Sequence, residues 1–325
     1  MPVLNLAQAL NQALFQALEK WDDVMVLGED VGRTGGVFRV TDGLWERFGP
    51  ERVVDTPVAE SGIVGVGLGL AVGGMRPVVE LQFMGFSYPA LDQIINHVSR
   101  IRNRSRHRFT APMVIRIPYG GGIGAAEHHS ESMEAIYCHI PGLKVVVPSR
   151  PADAKGLLLA AIQDPDPVVF CEPIRLYRAV REEVAEEVYV TRLGEAVVER
   201  EGEDVTVVSW GAMMRECREA AEVAAEAGIS VELVDLRTLV PLDVDTVTES
   251  VRKTGRAVIV HEAPRTGGFG AEVMAQIFER CLYDLEGPVV RVTGWDTVFP
   301  LKRGEHLYLP DVGRVLSGIR RALEG

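Results

Sequence analysis

Glu60 sits in Asp55-Thr56-Pro57-Val58-Ala59-Glu60-Ser61-Gly62, and a glycine-studded apolar run from Ile63 to Gly74 follows at once. A carboxyl group at the mouth of such a run is expected to be poorly solvated, which raises its pKa and keeps a proton at hand. Such a group can hydrogen-bond a ring nitrogen and push a heterocycle from one tautomer to another. The plainer alternative is a carboxylate that merely caps or precedes a buried helix. His128 and His129 follow the loop Gly120-Gly121-Gly122-Ile123-Gly124. Adjacent histidines rarely point the same way, so they make a poor metal site, whereas a single one suits proton transfer near neutral pH. Its plainer reading is a surface loop histidine. Gln82, Phe83 and Phe86 follow the strand-like Val78–Leu81, and Glu29 follows the strand-like Val24–Leu27. Ligands collect at the carboxyl ends of strands in open α/β sheets. There Phe86 suits stacking on a planar ring and Gln82 suits a hydrogen bond to it, although the phenylalanines also suit a core and Glu29 a turn cap.

Those residues need a scaffold, and the chain alternates strand-like with helix-like segments throughout, the pattern of an α/β protein with largely parallel sheets. Leu6 to Glu19 reads as a helix with Leu6, Leu10, Leu14 and Leu18 on one side. Ser61 to Gly74 reads as a core helix, although each glycine costs on the order of 1 kcal/mol against alanine, so close backbone packing must compensate. Tyr88 to Arg102 and Ala152 to Ile162 read as helices, and Met113–Ile117, Val145–Val147 and Val168–Phe170 as strands. The charged stretch Arg178 to Val190 reads as a linker. A second α/β unit follows, with strands Val205–Ser209, Val231–Asp235, Ala257–Val260 and Val289–Val292 and helices Met213–Ala227, Val244–Arg252 and Phe269–Tyr283. The division is into two doubly wound domains, 1–190 and 191–325.

A formal charge of −12 over 325 residues argues against a nucleic-acid partner. The basic run Arg100, Arg102, Arg104, Arg106 and Arg108 follows a helical pattern and reads as a solvated helix end or a subunit contact. The four cysteines lie tens of residues apart with no C-x-x-C pair, which gives zinc and iron–sulfur sites no support and fits reduced thiols in a cytoplasmic protein. The amino terminus lacks the pattern of a signal peptide, and Ile63–Val72 is too short and glycine-rich to span a bilayer. The glycine loop at 120–124 does not fit G-x-G-x-x-G, and neither a P-loop nor a G-x-S-x-G elbow occurs. His261-Glu262 and Gly267-Gly268-Phe269-Gly270-Ala271-Glu272 read as strand, loop and helix, where the glycines suit a tight turn into the helix and a catalytic role is the alternative.

Taken together, several segments resemble the beta subunit of the thiamine-dependent decarboxylating component of 2-oxo acid dehydrogenase complexes. They are Gly28-Glu29-Asp30-Val31-Gly32, Asp55 to Gly62, His129-Ser130, His139-Ile140-Pro141-Gly142-Leu143-Lys144-Val145-Val146, Gly267–Gly270 and Gly294-Trp295-Asp296. Any one of these is weak, but their order over some 300 residues is specific. The resemblance implies a thiamine-pyrimidine-binding domain followed by a transketolase-C-like domain. It also implies that Glu60 hydrogen-bonds the aminopyrimidine ring nitrogen of thiamine diphosphate, with Glu29 behind it as a proton partner. Val58 and Ala59 would line the pocket by their backbone, and Gln82 and Phe86 would hold the pyrimidine. Phe83 and His129 would face the substrate, His129 also serving acyl transfer to the lipoyl group of the acyltransferase core.

The resemblance further implies that magnesium holds the diphosphate through a Gly-Asp-Gly motif, and this sequence has none. An alpha subunit would then supply that half of the site in an α2β2 heterotetramer, this chain contributing no magnesium ligand. A monovalent cation would sit in the loop Ala160 to Asp166. The stretch His129 to Ala135 is slightly closer to the branched-chain 2-oxo acid type, with pyruvate as the alternative substrate. A non-catalytic structural subunit of the same fold is the reading from a different class.

Overall fold

A computed structural model describes residues 1–324. Val24–Gly28, Arg76–Glu80 and Val114–Tyr119 run side by side in a seven-stranded sheet that continues through Val168–Pro173 and Lys144–Val146. Val53–Asp55 closes the edge beside Val24–Gly28, and all these pairings are parallel. Alternate strand residues feed two cores: Val26, Val78 and Val114 face one layer of helices, while Leu27, Val79 and Ile115 face the other. Burial on both faces is why these strands read as continuous apolar runs rather than alternating ones.

The carboxyl-terminal sheet has the order Val290–Val292, Ala257–Val260, Val205–Ser209, Val231–Asp235, Val197–Arg200. It is parallel except for its last strand. The two units are interlaced, because Thr238–Val240 leaves the second unit and pairs antiparallel with Lys144–Val146 of the first sheet.

Helix Leu6–Lys20 starts at an Asn5 cap, where Gln8 N–H donates to Asn5 Oδ1 at 2.9 Å and Asn5 N–H to Gln8 Oε1 at 3.0 Å. Leu6, Leu10, Leu14 and Leu18 are all buried, as their spacing predicts.

Three expectations need correction. The single helix expected over Tyr88–Arg102 is broken into a 3-10 turn Met84–Ala90, a short helical piece Leu91–Gln93, a π turn Ile94–Val98 and a last turn Ile101–Arg104. Pro89 lies within the first piece and has no N–H to contribute. The linker-like stretch Arg178–Val190 contains the strand Arg181–Glu183, which pairs antiparallel with Val3–Asn5; pairing at the surface tolerates the charges that suggested a linker. Finally, the helix Glu60–Val72 is buried only along Ile63, Val64, Gly67 and Ala71. A Cβ on Gly67 would stand 2.7 Å from Val79 Cγ1, so backbone packing accounts for that glycine, whereas Gly69 has nothing within 4 Å.

Cys138, Cys171, Cys217 and Cys281 are free. Among the described residues, no helix is long and apolar enough to cross a membrane.

Candidate active site

The strand Val24–Gly28 must end in glycine, because a Cβ on Gly28 would lie 2.8 Å from the Glu80 carbonyl oxygen of the neighbouring strand. Glu29 follows. Asp55, at the end of the other neighbouring strand, fixes the next turn by accepting from Gly32 N–H at 2.6 Å and Arg33 N–H at 3.3 Å. Glu60 opens the helix Glu60–Val72.

The shielding expected at Glu60 falls on Glu29 instead: Glu60 is half-buried, whereas Glu29 is 6% exposed. Burial pushes the Glu29 carboxyl above its ordinary range; the charge of Glu60 and then that of Asp30 add to the rise, and the Ala59 backbone N–H works against it. Glu29 Oε1 is buried without a hydrogen-bond partner. Both burial and the neighbouring negative charges disfavour the ionised form of this carboxyl. Val58 is 81% exposed and Ala59 is exposed, while the Ala59 backbone is engaged by Glu29 at its N–H and by Ile63 N–H at its carbonyl, 2.9 Å.

Gln82 Nε2 donates to Asp30 Oδ2 at 3.2 Å and reaches the Glu29 carbonyl at 3.5 Å. One turn on, Phe83 and Phe86 meet edge to face with centroids 5.5 Å apart. The His129 ring packs edge-on against both, at 4.5 Å from Phe83 and 4.9 Å from Phe86. Phe83 is buried and Phe86 half-buried. His129 Nδ1 lies 2.8 Å from the Glu127 carbonyl. A carbonyl only accepts, so Nδ1 carries the hydrogen and Nε2 of the neutral ring is left as an acceptor. The segment Gln82–Phe86 therefore joins the carboxyl pair on one side to His129 on the other.

Glu262 and Glu305 escaped assignment. Both belong to the carboxyl-terminal unit yet contact the glycine loop ahead of His129. Burial drives the Glu262 carboxyl up to about 7. The preceding His261, fully buried and stacked on Trp210 at 5.4 Å, is driven down to about 4 by desolvation first and Arg291 second. The signal for Glu262 was its place just past the strand Ala257–Val260; Glu305 carried none.

The loop Ala160–Asp166 has its acidic groups already paired, Asp164 with Lys144 at 2.5 Å and Asp166 with Arg102 at 2.6 Å. Arg76 Nη1 donates to the Ile162 carbonyl at 2.9 Å. Side-chain cations thus already engage several oxygens of this loop. A cavity of about 800 Å³ lies between Val98–Asn103 and His139–Lys144, away from Glu60.

Two parallel-sheet units, with paired carboxyls at the carboxyl edge of the first, define a two-domain transketolase-like protein. Residues 3–180 match the family described as transketolase, pyrimidine binding domain, and residues 194–315 that described as transketolase, C-terminal domain. The chain is 50% identical over 321 residues to a pyruvate dehydrogenase E1 component subunit beta of Acholeplasma laidlawii, covering 99% of this chain and 98% of that one. It is 49% identical to the protein of the same name from Bacillus subtilis (strain 168), covering 100% of both. A solved structure named "Split gene transketolase, inactive beta4 tetramer" superposes with a TM-score of 0.79 at 23% identity, covering 99% of this chain and 98% of that one, a likeness of fold. The chain belongs to the family of beta subunits of 2-oxo acid dehydrogenase E1 components.

Proposed function

We propose that this chain is the beta subunit of the decarboxylating component of a pyruvate dehydrogenase complex and works only with an alpha subunit. Full-length relatives at 49–50% identity carry the pyruvate name, so the branched-chain preference drawn from His129–Ala135 gives way to its alternative.

The observation that carries the half-site reading is the uncovered face of the segment Val58–Gly69, which includes the helix that Glu60 opens. Val58 is 81% exposed and Val66 57% exposed, and nothing lies within 4 Å of where a Gly69 side chain would be. An exposed apolar stretch on and just before the helix that Glu60 opens calls for a covering surface. The groups gathered here are two carboxyls, an amide and two aromatic rings, a set that suits an aminopyrimidine. The residues that would grip a magnesium-bound diphosphate would come from the alpha subunit.

Thiamine diphosphate, when bound, supplies the electron sink for releasing carbon dioxide from the 2-oxo acid. Glu60 would hold and move a proton at the pyrimidine ring nitrogen, and Glu29 would supply the reserve behind it. Gln82 and Phe86 would orient the ring. Phe83 would shape the acyl side, where the free Nε2 of His129 would manage the proton during transfer to the lipoyl group of the acyltransferase core. The cytoplasm is the setting in this reading.

The test is co-expression with an alpha partner and assay of carbon dioxide release. Turnover of pyruvate is expected to exceed that of 2-oxoisovalerate by about 10- to 200-fold in kcat/KM, the range a few methylenes confer. The opposite preference would restore the branched-chain assignment. Tight thiamine diphosphate–magnesium binding with decarboxylation by this chain alone would overturn the half-site.

A further inference from the structure

The loop that carries His129 is held by two different domains. On one side the imidazole rests against Phe83 and Phe86 of the amino-terminal domain. On the other, Gly120–Gly124 lies on the carboxyl-terminal domain. Gly124 N–H donates to both carboxylate oxygens of Glu305, at 3.1 and 3.0 Å, and Gly121 N–H approaches Glu262 Oε2 at 3.4 Å. A Cβ on Gly121 would stand 2.1 Å from the Phe299 ring, and one on Gly124 3.0 Å from Lys302 Cδ. Gly120, Gly122 and Gly124 have φ of 89°, 93° and 68°, a region costly to residues with a side chain. The glycines therefore serve a close approach between domains.

Glu305 is itself well placed to be rigid. It is 8% exposed. It also opens the short turn Glu305–Tyr308, where Tyr308 packs on Phe299 with centroids 4.7 Å apart. A hydrogen bond from a backbone N–H to an ionised carboxylate is roughly twice as strong as a neutral one. From Gly124 the chain reaches His129 in five residues, and the last of these are tied locally: His129 N–H donates to the Ala126 carbonyl at 3.2 Å, and Nδ1 to that of Glu127. Little slack separates the anchor from the imidazole.

We propose that Glu305 is a positioning residue for His129: by fixing Gly124, the carboxyl-terminal domain sets the direction in which Nε2 faces the acyl acceptor. The inference rests on the reading of His129 as the group that serves acyl transfer.

The experiment uses the full chain assembled with its alpha partner and carrying Glu305→Ala, Glu305→Asp or Glu305→Gln. Alanine removes the acceptor, aspartate withdraws it by one methylene, and glutamine keeps an oxygen in place. For Glu305→Ala, kcat for acylation of a lipoyl domain is expected to fall about ten- to hundredfold, the scale of a small misplacement. KM for the 2-oxo acid and decarboxylation with an artificial electron acceptor should stay near the original values. Glu305→Asp should shift the same way by less, and Glu305→Gln should recover most of the rate. Amide hydrogen exchange over residues 120–131 should quicken in the alanine and aspartate variants and not in the glutamine variant. Unchanged acylation in Glu305→Ala, unchanged exchange, or a parallel fall of decarboxylation and acylation would each overturn the proposal. Should the unsubstituted assembly neither decarboxylate nor acylate, the functional reading fails instead, and the exchange pattern still decides whether Glu305 anchors the loop.

Discussion

Glu29 is the shielded member and Glu60 the half-exposed member of a carboxyl pair at the edge of the amino-terminal sheet, and burial first and the charge of Glu60 second raise the Glu29 carboxyl above its ordinary range. In the proposed reading, the buried carboxyl is the proton reserve and the half-exposed one the group a ligand would meet.

Replacing Glu60 with glutamine preserves shape and removes the titrating group. Because Glu60 is only half-buried, unfolding stability should change by no more than about 0.5 kcal/mol. Decarboxylation by the assembled enzyme should fall by about 100-fold or more, the scale of lost acid–base participation. Urea unfolding and carbon dioxide release measure the two; near-normal turnover would remove Glu60 from the chemistry.

Glu29→Gln should be stabilising at neutral pH and not in acid. The folded-state pKa of Glu29 is raised, so its ionisation is resisted by the fold. Relative to glutamine, the acid keeps its full stability below its unfolded pKa and loses it as the pH rises through the folded value. Melting curves at pH 5 and pH 8 should therefore show the variant gaining on the parent at the higher pH, while its catalytic rate drops. A gain confined to acid would contradict the burial argument.

His129→Ala should separate two activities. Decarboxylation with an artificial acceptor should survive, whereas lipoyl acylation should fall by about 100-fold. Equal losses in both assays would argue that the imidazole only packs against Phe83 and Phe86.

Arg116 is fully buried and serves two carboxylates, Glu80 at 2.5 Å and Glu172 at 2.6 and 2.8 Å. Tyr177 donates to Glu172 as well, at 2.5 Å. Burial nevertheless leaves the Glu80 carboxyl raised. Arg116→Met would strand two buried acids without a cation and should cost about 3–5 kcal/mol. The loss should be larger at pH 8 than at pH 5, because protonation relieves the stranded carboxyls. Adding Glu80→Gln and Glu172→Gln should recover part of it; urea midpoints at both pH values decide.

Much of the scaffold was legible because its strands are buried on both faces. Val205–Ser209, Val231–Asp235 and Ala257–Val260 stand where their apolar runs place them. The helix Leu6–Lys20 was legible from leucines four apart, and the structure adds its Asn5–Gln8 cap. The broken segment Met84–Arg104 was not, because its side-chain pattern stays helical while Pro89 and a π turn change the backbone.

By itself the sequence determined two α/β units, a glycine-rich helix that calls for close packing, and the order of motifs from Glu29 through Glu60 to His129. Those properties are local: periodicity, turn chemistry and residue type act within a few positions. Which carboxyl is shielded, which nitrogen of His129 is free, and the hold of Glu305 on Gly124 were decided only in three dimensions. The reason is that desolvation and hydrogen bonding depend on what packs alongside, and here the partners lie up to 181 positions apart in the chain.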